Sequence, residues 1–159
     1  MGATIYTIGH GEQDLDDLFA ALRKSSIQLL VDVRTYPASR RNPQFNRSSL
    51  TGMALRCGMR YRWEEALGGK PRDRSLWTES GVPDYRQIGE SAPFQLALDQ
   101  LIDEAQTQTV AVLCSETRPE ECHRSLLIQP WLVERGINVQ HLLPGGRVLG
   151  EVAAMKRML

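Results

Sequence analysis

Cys114, Glu116, Cys122, His123 and Arg124 fall within eleven consecutive residues, and each side chain can do chemistry. A thiolate is a nucleophile or a metal ligand, an imidazole moves protons, and a guanidinium holds anions or stabilises a thiolate. The spacing tests these options. A Cys-x5-Arg phosphate loop starting at Cys114 needs arginine at position 120, where the chain has Glu120, so that signature is excluded. Cys-x7-Cys-His matches no compact zinc ribbon or finger. Cys114, Glu116, Cys122, His123 and His10 are all legitimate zinc or iron ligands. Neighbouring Cys122 and His123 on a helix would point about 100° apart, however, and the sequence assigns no metal site.

For covalent catalysis Cys114 is the stronger candidate, because it ends a strand and precedes a helix, within reach of His10, His123, Arg34 or Arg124. Cys122 is expected about five positions past the helix cap, where the helix dipole has faded. Glu116 is a candidate general acid or base, with His10 and His123 handling protons. The plain alternatives are a cysteine buried as a small apolar residue and a hydrogen-bonded core histidine. Asp32-Val33-Arg34 after an apolar strand also looks like the opening of rhodanese-like domains. The turn after Cys114 lacks glycine, though, and suits a thiolate-stabilising amide loop poorly.

The elements that must position these groups can be read from the pattern. Thr109-Val110-Ala111-Val112-Leu113 reads as a buried strand ending at Cys114. Thr117-x-x-Glu120 with Pro119 resembles a capping box opening a helix that carries Cys122, His123 and Arg124 and runs to Gly136, kinked or split at Pro130. Ala3–Ile8 is a first strand ending at Gly9-His10-Gly11. A helical stripe follows at 15, 18, 19 and 22, and Ile27–Val33 is a second strand. A long loop from Asp32 to Phe45 leads to a helix from Ser48 or Ser49 to Cys57, stopped at Gly58. Met59–Trp63 is a short strand, and residues 64–82 form an irregular surface excursion with the character of a lid. Phe94–Ala105 is a helix, Ile137–Leu143 a last strand, and Arg147–Leu159 an amphipathic terminal helix.

This order predicts a three-layer, Rossmann-like α/β fold with a largely parallel sheet, as a single domain over residues 1–159. The motif-bearing region runs from about 4 to 145, with 147–159 as a C-terminal extension. In such sheets ligands bind beyond the carboxyl ends of the strands. The ends at Gly9-His10, Asp32-Val33-Arg34 and Cys114-Ser115-Glu116 then become one cleft.

Charge adds a partner. The formal net charge is zero, yet between Arg34 and Arg74 nine arginines and one lysine face only Glu64, Glu65 and Asp73. Arginine's planar fork suits phosphate and carboxylate, so the expected ligand is a nucleotide or a nucleic-acid-like anion. Arg34, Arg40 and Arg124 are the expected anion contacts, with Gly9, Asp32, Ser39 and Glu116 around sugar or base groups. Tyr36, Phe45, Tyr61 and Trp63 are candidate stacking rings. The alternatives are a cysteine- or metal-dependent enzyme, or a structural or protein-partner domain whose polar cluster is an internal hydrogen-bonded network. The residues name no cofactor and no oligomeric state.

Composition is that of a soluble globular chain, 42% hydrophobic and 24% charged. Three cysteines is an odd number and suggests a reducing compartment. No apolar run reaches the roughly 18 residues of a membrane span. Met1–Tyr6 enters a strand without signal-peptide character, so a cytoplasmic protein is expected.

Taken together, several motifs carry a family resemblance. These are Thr7-Ile8-Gly9-His10; Asp32-Val33-Arg34 with Pro37 and Ser39-Arg40; Pro43-x-Phe45; Leu67-Gly68-Gly69; and Cys114-x-Glu116 followed by Cys122-His123-Arg124. In this order, from about Thr4 to His141, they resemble the domain of unknown function family numbered 488. The resemblance implies a compact cytoplasmic α/β domain and the location of a site, and it supplies no reaction. Gly11 stands where that family usually has serine.

Overall fold

A computed structural model describes residues 2–150 of the chain. Six strands form one sheet: β1 (Thr4–Gly9), β2 (Leu29–Asp32), β3 (Arg60–Trp63), β4 (Val110–Cys114), β5 (Asn138–Leu142) and β6 (Val148–Gly150). Their order is β3-β2-β4-β1-β5-β6. The first five are parallel, and β6 runs antiparallel to β5. The helices are α1 (Leu15–Lys24), α2 (Arg47–Arg56), α3 (Tyr85–Glu90), α4 (Ala92–Ala105) and α5 (Gln129–Glu134).

The continuous apolar run of β4 is explained by cover on both faces. Its alternate residues enter different cores. Val110, Val112 and Cys114 pack with Phe94, Leu98, Leu101 and Leu132, from α4 and α5. Ala111 and Leu113 pack with Leu18, Phe19, Leu22 and Leu50, from α1 and α2. The fold is thus the expected three-layer, Rossmann-like arrangement with a largely parallel sheet. Among the described residues, no helix is long and apolar enough to cross a membrane.

The register sets the site. Gly9 lies beside Cys114, and Asp32 beside Leu113, so β1, β4 and β2 end side by side. The chain after β1 is then forced against the chain after β4. His10 N–H donates to the Cys114 carbonyl at 3.0 Å, and Gly11 N–H to the Ser115 carbonyl at 2.8 Å. A Cβ on Gly9 would stand 1.6 Å from the Glu116 carbonyl oxygen. The close approach expected of Gly9 is therefore made by the chain's own backbone.

Three elements differ from expectation. The stretch after Pro119 is a single 3-10 turn, Pro119–Glu121, and Cys122 is extended (φ −128°, ψ 150°). Helical backbone begins only at His123 and passes through a π-helical turn, Arg124–Ile128, before α5. Pro130 explains this division: it has no N–H to offer, and its ring crowds the preceding turn. The capping box predicted at Thr117 and Glu120 thus does not open the helix. Second, Val148–Gly150 pairs with β5 instead of starting a terminal helix; residues 151–159 of that expected helix lie outside the described ones. Third, a short helix, α3, follows the irregular excursion of residues 64–82, where the sequence predicted no element.

The Gly9 contact sets a stability test. Gly9→Ala should cost about 2–3 kcal/mol, because the backbone on both sides must move. Gly52→Ala, at a helical position whose nearest neighbour is a flexible arginine tip 3.5 Å away, should instead gain up to about 1 kcal/mol. Equal urea midpoints for the two variants would refute this reading of the packing.

Candidate functional site

The three strand ends and the segment around Gly69 enclose a cleft of about 630 Å³. Its wall includes His10, Gly11, Arg34, Ser39, Lys70, Tyr85, Glu116, Cys122 and His123. At its floor the Sγ atoms of Cys114 and Cys122 lie 2.6 Å apart, and both residues are free thiols.

The local fold explains how two cysteines eight positions apart meet. Cys114 ends β4 with its side chain on the face that α5 covers. The 3-10 turn returns the chain, and Pro119 is buried beneath it. Cys122 then sits directly before the helical run, where the Arg124 N–H donates to its Sγ at 3.5 Å. Cys122, rather than Cys114, lines the cleft. The sequence-based preference for Cys114 is reversed in this respect, since Cys122 lies at the helix start and not past it.

Arg124 corrects a second expectation. It is completely buried and does not line the cleft. Its guanidinium donates to the carbonyls of Glu116 (3.0 Å) and Thr117 (2.8 Å) and to Thr7 Oγ1 (3.3 Å). Thr7 in turn contacts His141 Nδ1 at 2.5 Å, and His141 Nε2 faces Gln129 Oε1 at 3.2 Å. The Thr7 oxygen accepts from Arg124, so its hydrogen goes to His141 Nδ1, and the ring is neutral with Nε2 protonated. Burial, and secondarily the Arg124 charge, push the His141 pKa down to about 3.

The thiols balance this guanidinium. Burial opposes a thiolate at Cys114, but the Cys122 hydrogen bond, the Arg124 charge and the Glu116 backbone more than offset it. The Cys114 thiol is held below its usual range. Burial first, then the hydrogen bond and charge of Cys114, push Cys122 far up. The two shifts run in opposite directions, so within the pair the negative charge is favoured on Cys114 and the proton on Cys122.

Both site histidines are neutral. His123 places Nε2 at 2.9 Å from the Val33 carbonyl, so Nε2 carries the hydrogen and Nδ1, 3.6 Å from Cys122 Sγ, carries none. Burial pulls its pKa down to about 4. His10 places Nδ1 at 2.8 Å from the Gly11 carbonyl and stacks on Phe45; burial lowers its pKa as well.

The remaining predicted residues divide between scaffold and wall. Asp32 is buried and takes two bonds from Arg34, at 2.8 and 2.7 Å, and one from Tyr61 Oη at 2.5 Å. Arg34 Nη2 also donates to the Phe45 carbonyl, leaving Nη1 outside these bonds on a residue that lines the cleft. Ser39 Oγ accepts from the Asn42 N–H, so it shapes its loop while facing the cleft. Gly9 packs on backbone, and exposed Arg40 is not part of the wall. Glu116 is exposed at the rim.

The arginine-rich segment is spent mostly on neighbours. Arg62 bridges Glu64 and Glu104, Arg41 pairs with Glu12, and Arg72 pairs with Glu65. Arg47 and Arg74 lie over Trp63 and Trp77. Among the described residues, no three His, Cys, Asp or Glu side chains are grouped to hold a metal.

Sequence reasoning missed Lys70 and Tyr85. A signal for the first existed in Leu67-Gly68-Gly69. A Cβ on Gly69 would stand 2.7 Å from His123 Cβ, and one on Gly68 2.3 Å from Thr35 Oγ1. The glycine pair lets this strand of loop lie against the site, so Lys70 completes the wall. Tyr85 comes from α3, which had no clear signature.

The neutral histidines carry a pH prediction. Unfolded histidine binds a proton below about 6.5, whereas folded His141 and His123 resist it until about 3 and 4. Their contribution is therefore intact above pH 6.5 and falls as pH falls, by about 1.4 kcal/mol per pH unit for each group. In urea melts between pH 4.5 and 6, His141→Gln should show a shallower pH slope than the wild type; identical slopes would contradict a neutral buried His141.

Comparison with curated proteins and with solved structures returns no match. The sequence pattern of one domain family matches residues 14–130, a span that includes the second and third strand ends, both site cysteines, His123 and Arg124. With that much of the chain matched, the protein belongs to the family described as Domain of unknown function DUF488.

Proposed function

We propose that this protein carries out thiol-dependent chemistry on a small polar molecule held in the cleft, with Cys122 as the reactive group. The observation that carries this reading is the contact of two free thiols, 2.6 Å apart, beside the buried Arg124 guanidinium. A buried charge is retained at a cost unless it is compensated; the Arg124 charge favours a thiolate on Cys114, to which the Cys122 S–H donates and can pass its proton as the Cys122 sulfur reacts. A thiolate is also the form of cysteine that reacts. His123 Nδ1 lies 3.6 Å from Cys122 Sγ, whose hydrogen goes to Cys114, while Arg34 Nη1 and Lys70 offer donors to an anionic part of the ligand. A cleft of this volume suits a molecule of nucleotide size or smaller. The chemistry fits a reducing compartment such as the cytoplasm, where free thiols persist.

A titration of reactivity tests this. Iodoacetamide should label Cys122 with a rate that rises as Cys114 loses its proton and becomes able to take the one on Cys122, through a midpoint below the free-thiol value of roughly 8.5, with half-buried Cys57 as the internal standard. Arg124→Met should move that midpoint upward; a Cys122 that follows Cys57 at every pH would sink the proposal.

A nucleotide or nucleic-acid-like anion is a second reading, and one observation favours it. Tyr36 on the cleft wall is 56% exposed, with the Arg72 guanidinium 5.6 Å from its ring centre, a ready platform for a base. A thermal-shift screen of mononucleotides and short oligonucleotides should then raise the melting temperature, and Tyr36→Ala should abolish the rise. No shift with any of them would remove this reading.

A further inference from the structure

We infer that Cys114 is a resolving thiol, and that the pair reduces a small zwitterionic disulfide by two successive thiol-disulfide exchanges. The inference rests on the reading of Cys122 as the reactive group. Three observations support it. The first is contact: no rearrangement of the loop between the cysteines is needed for one sulfur to reach the other. The second is the division of access. Cys122 lines the cleft and is 5% exposed, while Cys114 is 1% exposed and does not line it, so a ligand reaches Cys122 first. A single catalytic cysteine needs no such partner, and a buried structural cysteine needs no cleft.

The third is the charge pattern. Arg41 pairs with Glu12, and Glu121 with Arg118, so these charges offset one another. Lys70 and Glu116 remain on the wall without a salt bridge among the described residues. One cation and one carboxylate, on a cleft otherwise balanced, suit a ligand bearing both an ammonium and a carboxylate. A disulfide built from amino acids or short peptides has this chemistry.

The step balances as follows. Cys122 Sγ passes its proton to the Cys114 thiolate and attacks one sulfur of R–S–S–R′, forming a Cys122–S–S–R bond and expelling R′S⁻, which takes that proton from Cys114. Cys114, as the thiolate favoured by Arg124, then attacks Cys122 Sγ and expels RS⁻, which takes the proton lost from Cys114. Two electrons and two protons leave the chain, two thiols leave the cleft, and a Cys114–Cys122 disulfide stays behind. An external dithiol returns the electrons by the reverse exchange.

Glutathione disulfide is a suitable probe. Wild-type protein should lose two thiols together and yield a Cys114–Cys122 linked peptide in the mass spectrum, reversed by dithiothreitol. Cys114→Ala should instead hold one glutathione on Cys122, an adduct that wild type does not accumulate. Reduced wild type needs no substitution for the first measurement, so a misfolded variant does not rescue the idea. If Cys122 alkylates with a depressed midpoint but wild type keeps the glutathione adduct, or the linked peptide never forms, the resolving role is overturned and the reactive-thiol reading stands. If Cys122 does not alkylate at all, both fall together.

Discussion

A guanidinium removed from water is the constraint around which this site is built. Arg124 is fully buried, and its environment has to supply acceptors on several sides. Two backbone carbonyls of the loop after β4 and the hydroxyl of Thr7 on β1 do so. In accepting from its Nη1 and Nη2 groups, while the buried Nε has no hydrogen-bond partner among the described residues, these groups hold the loop between the two cysteines. The same positive charge favours a negative one on the sulfurs. Positioning and electronic tuning of the thiols thus have a common cause, and a neutral isostere at 124 would remove both.

The site stands on backbone contacts as much as on side chains. Parallel pairing puts the ends of β1, β4 and β2 in line, and only a residue without Cβ permits the crossing at Gly9. Gly68 and Gly69 do the same for the opposite wall, against Thr35 and His123. Asp32, Arg34 and Tyr61 form a second buried polar cluster under the long loop, where burial opposes the Arg34 charge but Asp32 more than offsets it. This cluster is scaffold that offers one edge, Nη1 of Arg34, to the cleft.

Much of the fold was legible because periodicity reports burial directly. The continuous run of β4 and the stripe of α1 could each be satisfied in only one way, and the parallel sheet followed from their order. The location of the cleft was legible too, since it depends only on which strand ends are neighbours. What misled was local chemistry that tertiary contacts override. Thr117 and Glu120 have the types of a capping box, yet the helix waits until His123 because Pro119 and Pro130 divide the segment between a 3-10 and a π turn. That shift of a few residues exchanged the roles of the two cysteines. Arg124 reads in sequence as one more anion-binding arginine, and nothing in its neighbours announces that it points inward. The basic excess from Arg34 to Arg74 was real in composition, but part of it is met by acids from outside the segment, Glu12 and Glu104 among them, and most of its arginines lie outside the cleft wall.

The network from Arg124 through Thr7 to His141 also has a bearing on biosynthesis. Thr7 lies on the first strand and His141 on the fifth, so the pieces that hold the guanidinium come from opposite ends of the described chain. While the polypeptide is still emerging from the ribosome, Cys114 and Cys122 precede the strand that completes this arrangement. The thiol activation proposed for the pair therefore awaits the last parallel strand, β5.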